Sequence, residues 1–554
     1  MQRKHRLSAI VVSAALLLSL LAGCSGGSGG GATDGKQEEQ GQQASQQQQQ
    51  QSSSSFEKHM DISLSHYNIG QAFPDRASDE LLKMLEKKFN VTFVDKVISY
   101  ADYVEKYQLW SASGELPDII SHDIINTSTY YSWIKQGIVR ALPDDLGAYP
   151  NIQKVMAQDD VKGFTVDGKY YMIPRLTYNS NEQKTLERAL IVRKDWMDAL
   201  GLKAPVTYED YQKMLTAFAK GDPDGNSKND TAGVTMRTQA MLMAVGAGAF
   251  PNVANSSWVK EDGKYIPYYA SKNMDEYVKH MRELYTSGAI DPDFAIMKTN
   301  DGVEKFAQGL AGAIAMQATP SGLRLLEGAW NKYQKDKNFA DNIAIYPISW
   351  QTDDGSRYSF EMLSFWSETY FSSSVNDEKM DRILRIYDYL LSDEYMTANL
   401  YGLEGKDYRK EGDAYVITRE KNSDGQYKSL FELYPSLNLF GSLAAWYKWQ
   451  EYGTSDIVKI NLGDNVYELV QRTLEDFKKL DTIPTNFAVD YLYTEAKTKL
   501  SAVNPNEDLI KVILGKDDPV SMWREIVKGY ENKGLSQAIA EVNEAVQAQG
   551  LDGK

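Results

Sequence analysis

From residue 60 the sequence switches repeatedly between the two periodicities a chain can bury, and this switching constrains the fold more than any other feature. Met60-Asp61-Ile62-Ser63-Leu64-Ser65-His66-Tyr67 alternates apolar and polar residues with the period of a strand. Ser78 then caps a helical pattern through Leu81, Leu82, Met84, Leu85 and Phe89, and Val91-Thr92-Phe93-Val94 returns to a strand. A further strand is expected at Leu116-Pro117-Asp118-Ile119-Ile120 and a further helix near Trp133. That order predicts an α/β architecture with mostly parallel strands. The C-terminal stretch is helical in pattern, as at Met522 to Val527 and Leu535 to Val546.

The first 55 residues read differently. Arg3, Lys4, His5 and Arg6 precede an apolar run from Leu7 to Leu21, too short for a comfortable membrane span. Ala22, Gly23 and Cys24 follow, and Cys24 is the single cysteine of 554 residues, which excludes an intramolecular disulfide framework and a four-cysteine zinc site. Leu21-Ala22-Gly23-Cys24 resembles a bacterial lipobox. That implies a signal peptide over 1–23 and a lipidated Cys24 as the new N-terminus; the alternative is an ordinary signal peptide with an incidental cysteine. Two or three acyl chains would anchor such a protein stably, where one chain is marginal. Residues 24–55 are Gly, Ser and Gln-rich, with too little apolar surface to offset ordering entropy, so a disordered spacer is expected. The formal G-x-S-x-G match at Gly26 to Gly30 lacks the flanking strand and helix of a nucleophile elbow. A formal net charge of −16 argues against nonspecific nucleic-acid binding, and the length suggests more than one lobe.

Later segments carry a resemblance. Ser113-Gly114-Glu115-Leu116-Pro117-Asp118-Ile119-Ile120, Gly137 to Leu142, and Asp167-Gly168-Lys169-Tyr170-Tyr171-Met172-Ile173-Pro174-Arg175 look like landmarks of bacterial extracellular solute-binding proteins of family 1, the receptors of ABC importers. Arg193-Lys194-Asp195-Trp196, Leu200-Gly201-Leu202, Gly288 to Phe294, Phe306 to Met316 and Tyr401-Gly402-Leu403-Glu404-Gly405 follow in family order and are similar to the large Gram-positive lipoprotein subgroup. The resemblance implies a two-lobed periplasmic-binding-protein-like (type II) fold with discontinuous lobes. Lobe 1 would be 57–176 plus 362–428, and lobe 2 would be 177–361 plus 429–554. It implies a monomer anchored at the extracellular face of the membrane, which captures an oligosaccharide by lobe closure and delivers it to an ABC permease without chemistry. A peptide or other solute as ligand, or a secreted carbohydrate-active enzyme, are the alternatives.

Asp222-Pro223-Asp224-Gly225-Asn226-Ser227-Lys228-Asn229-Asp230 is the sharpest local motif. Asp222, Asp224, Asn226, the Lys228 carbonyl and Asp230 fall at loop positions one, three, five, seven and nine of an EF-hand-like calcium loop. The match is partial, since Ser227 and Gly233 stand where the glycine and the bidentate glutamate belong. Relatives that bind acidic oligosaccharides carry a similar calcium loop, so either a structural calcium ion or a solvated turn is expected here.

Sugars present apolar faces and a rim of hydroxyls, so ring platforms beside fixed polar groups are the expected site. Loops after strands and beside the crossings supply His66, Tyr67, Asn68, His122, Asp123, Arg175, Tyr178, Gln317 and Trp366 as candidates. Trp446 and Trp449, placed on one helical face by their spacing, form either two platforms or a core stripe. Basic residues in the cleft would favour uronic acids. Glu404 reads as a lobe-packing residue. The five His, at 5, 59, 66, 122 and 280, form no H-E-x-x-H pair, and no phosphate-binding glycine loop is present, so no catalytic residue is assigned.

Overall fold

The computed structural model describes residues 56–247, 250, 253, 258–351, 355–423, 425–446 and 451–552. The signal peptide, Cys24, the spacer and Trp449 lie outside the described residues. In chain order the strands are β1 (Met60–Ser65), β2 (Val91–Asp95), β3 (Ile119–His122), β4 (Ile173–Leu176), β5 (Ala189–Arg193), β6 (Ala232–Met236), β7 (Ala311–Met316), β8 (Ile343–Pro347), β9 (Tyr358–Phe360), β10 (Phe365–Phe371) and β11 (Asp481–Ile483). Two small hairpins, at 258–267 and 408–417, stand apart from them.

The strands build a five-stranded sheet, β2-β1-β3-β10-β4, and a four-stranded sheet, β8-β5-β7-β6. Each sheet is the centre of one lobe. In the first, β1 runs parallel to β2 and β3, whereas β10 is antiparallel to both β3 and β4. In the second, β6 and β7 are parallel and β5 is antiparallel to β7 and β8. The expectation of mostly parallel strands is therefore corrected to mixed sheets. The reason is connectivity: β4 leaves the first lobe at the cleft end, and β10 re-enters from that same end, so it must run in reverse.

Local chemistry explains the elements. Helix Glu80–Phe89 buries Leu81, Leu82, Leu85 and Phe89 on one face and stops at Asn90, whose φ of 48° is left-handed. Its cap is Asp79, not Ser78 as the sequence suggested. An Asp79 carboxylate oxygen accepts the Leu82 N–H at 2.9 Å, while the Ser78 hydroxyl turns back to the Asp75 carbonyl at 3.3 Å. β5, Ala-Leu-Ile-Val-Arg, is buried at every residue, as an interior strand covered on both faces should be. Gly312 in β7 lets helix Tyr208–Lys220 lie close: a Cβ there would stand 2.3 Å from the Phe218 ring.

The chain crosses between lobes after β4 and again before β10. The last crossing was expected at residue 428 and is corrected by packing. Phe440, in helix Leu437–Leu443, packs with its ring 4.8 Å from that of Phe93 of the first sheet, and the Ser436 N–H donates to Asp79 at 2.8 Å. Ala445 forms a bridge with Leu176, and the Trp446 N–H reaches the Leu176 carbonyl at 2.6 Å. Tyr452, Ile457, Val466 and Phe477 then join the core of the second lobe, so the crossing falls between Trp446 and Glu451. Among the described residues no helix is long and apolar enough to cross a membrane.

Candidate functional site

The ends of β1, β3, β4 and β10 in the first lobe bring most of the expected ligand residues together. Arg175, in β4, is fully buried. Its Nε donates to the Ser442 carbonyl at 2.7 Å, and its Nη1 donates to the Tyr67 and Ser367 hydroxyls. Three rings surround the guanidinium, with Trp446 at 5.0 Å, Tyr67 at 5.2 Å and Trp366 at 5.8 Å from its carbon, the arrangement of a cation–π nest. Tyr67 lies 5.8 Å from Trp366, and Trp366 lies 5.7 Å from Trp446. Tyr100 and Tyr103, which the sequence reading passed over, extend this wall at 5.6 Å and 5.9 Å from Tyr67. Their signal was available, since they follow β2 as His66 follows β1.

A bulge aims Trp366. The pairing of β10 with β4 shifts between Phe365 and Glu368, and Ser367 there has a φ of 61°, a costly conformation for a non-glycine residue. The shift allows Trp366 to meet the rings, Ser367 to meet Arg175, and Glu368 to turn inward. Glu368 is 1% exposed and accepts the Ile124 and Ile125 N–H groups at 3.3 Å and the Tyr370 hydroxyl at 2.8 Å. Burial first, and the Asp123 carboxylate second, push its carboxyl up to about 8 despite those donors.

The two histidines sit behind the wall. His66 is fully buried and accepts the Asn68 N–H at 3.0 Å on Nδ1; burial, then Arg175, holds its pKa well below the ordinary value. His122 is wedged 5.4 Å from Tyr103, 5.2 Å from Tyr107 and 5.7 Å from Trp133, and burial lowers it to about 4. Both are neutral supports. Asp123 lies beside Trp366 and Arg175, and desolvation raises its pKa against both of them.

The second lobe approaches this wall with Arg237. Arg188 lies near Glu187, Tyr178 and Tyr268, and desolvation lowers its pKa. Arg237 donates from Nε to Asn300 at 3.1 Å and from Nη1 to Gln317 at 2.9 Å, and feels the Tyr100 phenol of the other lobe. Gln317 thus orients Arg237. Tyr178 is 6% exposed, packed beside Glu187 and Tyr452. Arg188 precedes its strand instead of following it, so the strand-end rule missed it.

A cavity of about 1180 Å³ opens beside the rings; Asn68, Ser442 and Trp446 are on its wall. Trp446 is not on a helix, because its backbone continues the bridge to β4, so the expected helical pair with Trp449 does not form from its side. Glu404 is bridged to Lys410 at 3.6 Å, away from the rings.

The 222–230 loop is a surface turn with Asp222, Gly225 and Ser227 at positive φ. Asn226 Nδ2 donates to Asp224 at 2.7 Å and to Asp230 at 3.2 Å, and the Ser227 N–H donates to Asp222 at 3.0 Å. The other Asp222 oxygen, Oδ1, is buried without a hydrogen-bond partner among the described residues. Position twelve cannot carry an acid, since a Cβ on Gly233 would stand 2.4 Å from the Leu215 carbonyl. Among the described residues no three His, Cys, Asp or Glu side chains already converge as metal ligands.

Two α/β lobes with a ring-lined cleft at strand ends define a type II binding-protein architecture. The profile of the bacterial extracellular solute-binding proteins matches residues 80–403, and the chain belongs to that family. It is 25% identical over 484 residues to the polygalacturonan/rhamnogalacturonan-binding protein YtcQ of Bacillus subtilis, covering 85% of this chain and 88% of that protein. Lipoprotein LipO of the same organism is 28% identical over 367 residues, 63% of this chain and 68% of LipO. Among solved structures, the alginate-binding protein AlgQ2 without calcium ion matches with a TM-score of 0.63 at 16% identity, covering 89% of this chain and 98% of that one. FusA of Streptococcus pneumoniae in complex with kestose matches with a TM-score of 0.63 at 18% identity, covering 89% and 99%. These likenesses establish the two-lobed fold.

Proposed function

We propose that the protein is the substrate-binding lipoprotein of a carbohydrate ABC importer, monomeric and held by lipid on Cys24 at the outer face of a Gram-positive cell membrane. The observation that carries the reading is the wall of Tyr67, Tyr100, Trp366 and Trp446 around the buried Arg175 guanidinium, at the end of the strands of one lobe and within reach of Arg237 of the other. Sugar faces stack on such rings, and their hydroxyls take the polar groups between them. Relatives named for binding polygalacturonan/rhamnogalacturonan and fructooligosaccharide support the ligand class. Asn68, Tyr67, Asp123, Trp366 and Trp446 are the proposed contacts from the first lobe; His122 and Tyr178 brace them, and Gln317 positions Arg237. Ligand bridging the lobes favours the closed form, which docks on the permease and releases its cargo. No bond is made or broken.

Titration calorimetry against a panel of oligosaccharides tests this. At least one glycan should bind, and Trp366→Ala should weaken it about tenfold, the loss of roughly 1.4 kcal/mol expected for a stacked ring. Binding of peptides with silence from every glycan, or shortening of the glycan during incubation, would overturn the reading.

The 222–230 loop fits a hard cation in its donor set of carboxylates, one amide and the Lys228 carbonyl, with the orphaned Asp222 Oδ1 as the open ligand. We assign it a structural calcium ion held by Asp222, Asp224, Asn226, Lys228 and Asp230, which would tie helix Tyr208–Lys220 to β6. The Asn226 amide lies between Asp224 and Asp230, where a cation would neutralise both. Chelator should lower Tm, since calcium at a hundredfold over its Kd stabilises by about 2.7 kcal/mol. Asp222→Ala should abolish that difference; a melting curve indifferent to chelator refutes the assignment.

A further inference from the structure

We propose that Glu368 is a positioning residue of the ligand wall, acting through the turn at 123–125 on Asp123 and Trp366, and that capture of an oligosaccharide is coupled to uptake of a proton by Glu368. This rests on the oligosaccharide reading and extends it to a residue that touches no ligand and to a proton that binding must find.

Geometry carries the inference. The Ile124 and Ile125 N–H groups and the Tyr370 hydroxyl all converge on one oxygen of Glu368, Oε2, and Oε1 accepts no hydrogen bond among the described residues. Oε1 is therefore the oxygen that carries the acid proton, while Oε2 ties down the backbone just after Asp123. The Asp123 N–H donates to His122 Nδ1 at 2.9 Å, and its carboxylate takes a hydrogen bond from the Trp366 side chain. Trp366 and Glu368, either side of the bulge in β10, thus grip the same turn: one from the ligand side, the other from beneath.

The surroundings make the proton matter. Facing Glu368 are Asp123 and, from helix Ser128–Lys135, Tyr130; Tyr370 of its own strand; Tyr103 of helix Tyr103–Ser113; and Tyr491, which follows helix Phe487–Asp490. Its register partners are His122 in β3, which is neutral, and Pro174 in β4. None of these groups is a cation; Arg175 acts on Asp123. An ionised Glu368 would set a second carboxylate against Asp123 in a buried place and push the turn out of line. A sugar seated on Trp366 and Asp123 strips water from Asp123, which raises the cost of that second charge. By reciprocity, the ligated protein holds the Glu368 proton more tightly, and the held proton tightens the ligand by the same factor. Affinity is full where the free protein keeps the proton and falls as pH rises past about 8, where capture must restore it.

Calorimetry of the full-length protein with kestose and with a trimer of galacturonic acid reads the coupling. At pH 8, comparison of phosphate with Tris buffer should count uptake of about half a proton, and affinity should fall roughly fivefold to tenfold from pH 6 to pH 9. Glu368→Gln should show neither effect, and Asp123→Asn should shrink both. The indole N–H resonance of Trp366, identified by its loss in Trp366→Phe, follows the turn with no glycan present. It should move between pH 6 and pH 9 in the wild type and stand still in Glu368→Gln. Binding without proton uptake, or an equal fall in affinity in Glu368→Gln, would overturn the coupling. A resonance that moves alike in both proteins, or in neither, would overturn the positioning role. If neither glycan binds, the resonance alone decides that role, and the oligosaccharide reading is judged separately by its own panel.

Discussion

Arg175→Met is expected to destabilise the protein by about 3 kcal/mol and to weaken ligand binding well beyond tenfold. The side chain is fully buried and ties three separate segments by its donors: Tyr67 after β1, Ser367 in the bulge of β10, and the Ser442 carbonyl at the end of helix Leu437–Leu443. Methionine fills much of the volume but leaves those acceptors without a donor and Tyr67, Trp366 and Trp446 without the cation that holds them. Arg175→Lys keeps the charge but not the planar spread of donors, so it should fall between the two. Denaturant unfolding and calorimetry on the same samples read both effects. Wild-type affinity in Arg175→Met would mean that the rings are not the ligand wall.

The pH dependence of stability should peak near the ordinary histidine pKa and fall on both sides. Glu368, pushed up to about 8 from a usual 4.5, keeps in the folded state a proton that the unfolded chain loses. Its contribution is complete below about 4.5 and is lost as pH rises to about 8, roughly 4–5 kcal/mol in all. His122 acts in the opposite sense. Lowered from 6.5 to about 4, it stays neutral when folded, so its contribution is present above 6.5 and lost as pH falls toward 4. His66 shifts in the same direction. Glu368→Gln copies the protonated acid, and its oxygen can still accept from Ile124, Ile125 and Tyr370. Melting curves of that variant should lose the decline between pH 6.5 and 8 and keep the acidic flank. An unchanged alkaline decline would show that Glu368 is not its source.

Much of this architecture was legible in the sequence because burial writes periodicity. The strand, helix and strand from Met60 to Val94 are where the alternation put them, and the strand expected at Leu116 to Ile120 begins at Ile119 and runs on to His122. Strand direction was not legible, since a pattern of two says nothing about which neighbour a strand finds, and β10 found its place through a long connection. The strand-end rule gathered Tyr67, Asn68, Asp123 and Trp366 but took His122 along, whose ring is enclosed by Tyr103, Tyr107 and Trp133 of the flanking helices.

The late crossing of the chain, between Trp446 and Glu451, decides what each lobe brings to an encounter. Because helix Leu437–Leu443 stays with the first sheet, the Ser442 carbonyl, Arg175 and the rings of Tyr67, Trp366 and Trp446 all ride on one lobe. On the proposed reading, that half-site is assembled within one lobe, so little ordering entropy would be left to spend at first contact. Such a division of labour would set a sequence in time, with ligand settling on the first lobe and the second lobe following with Arg237.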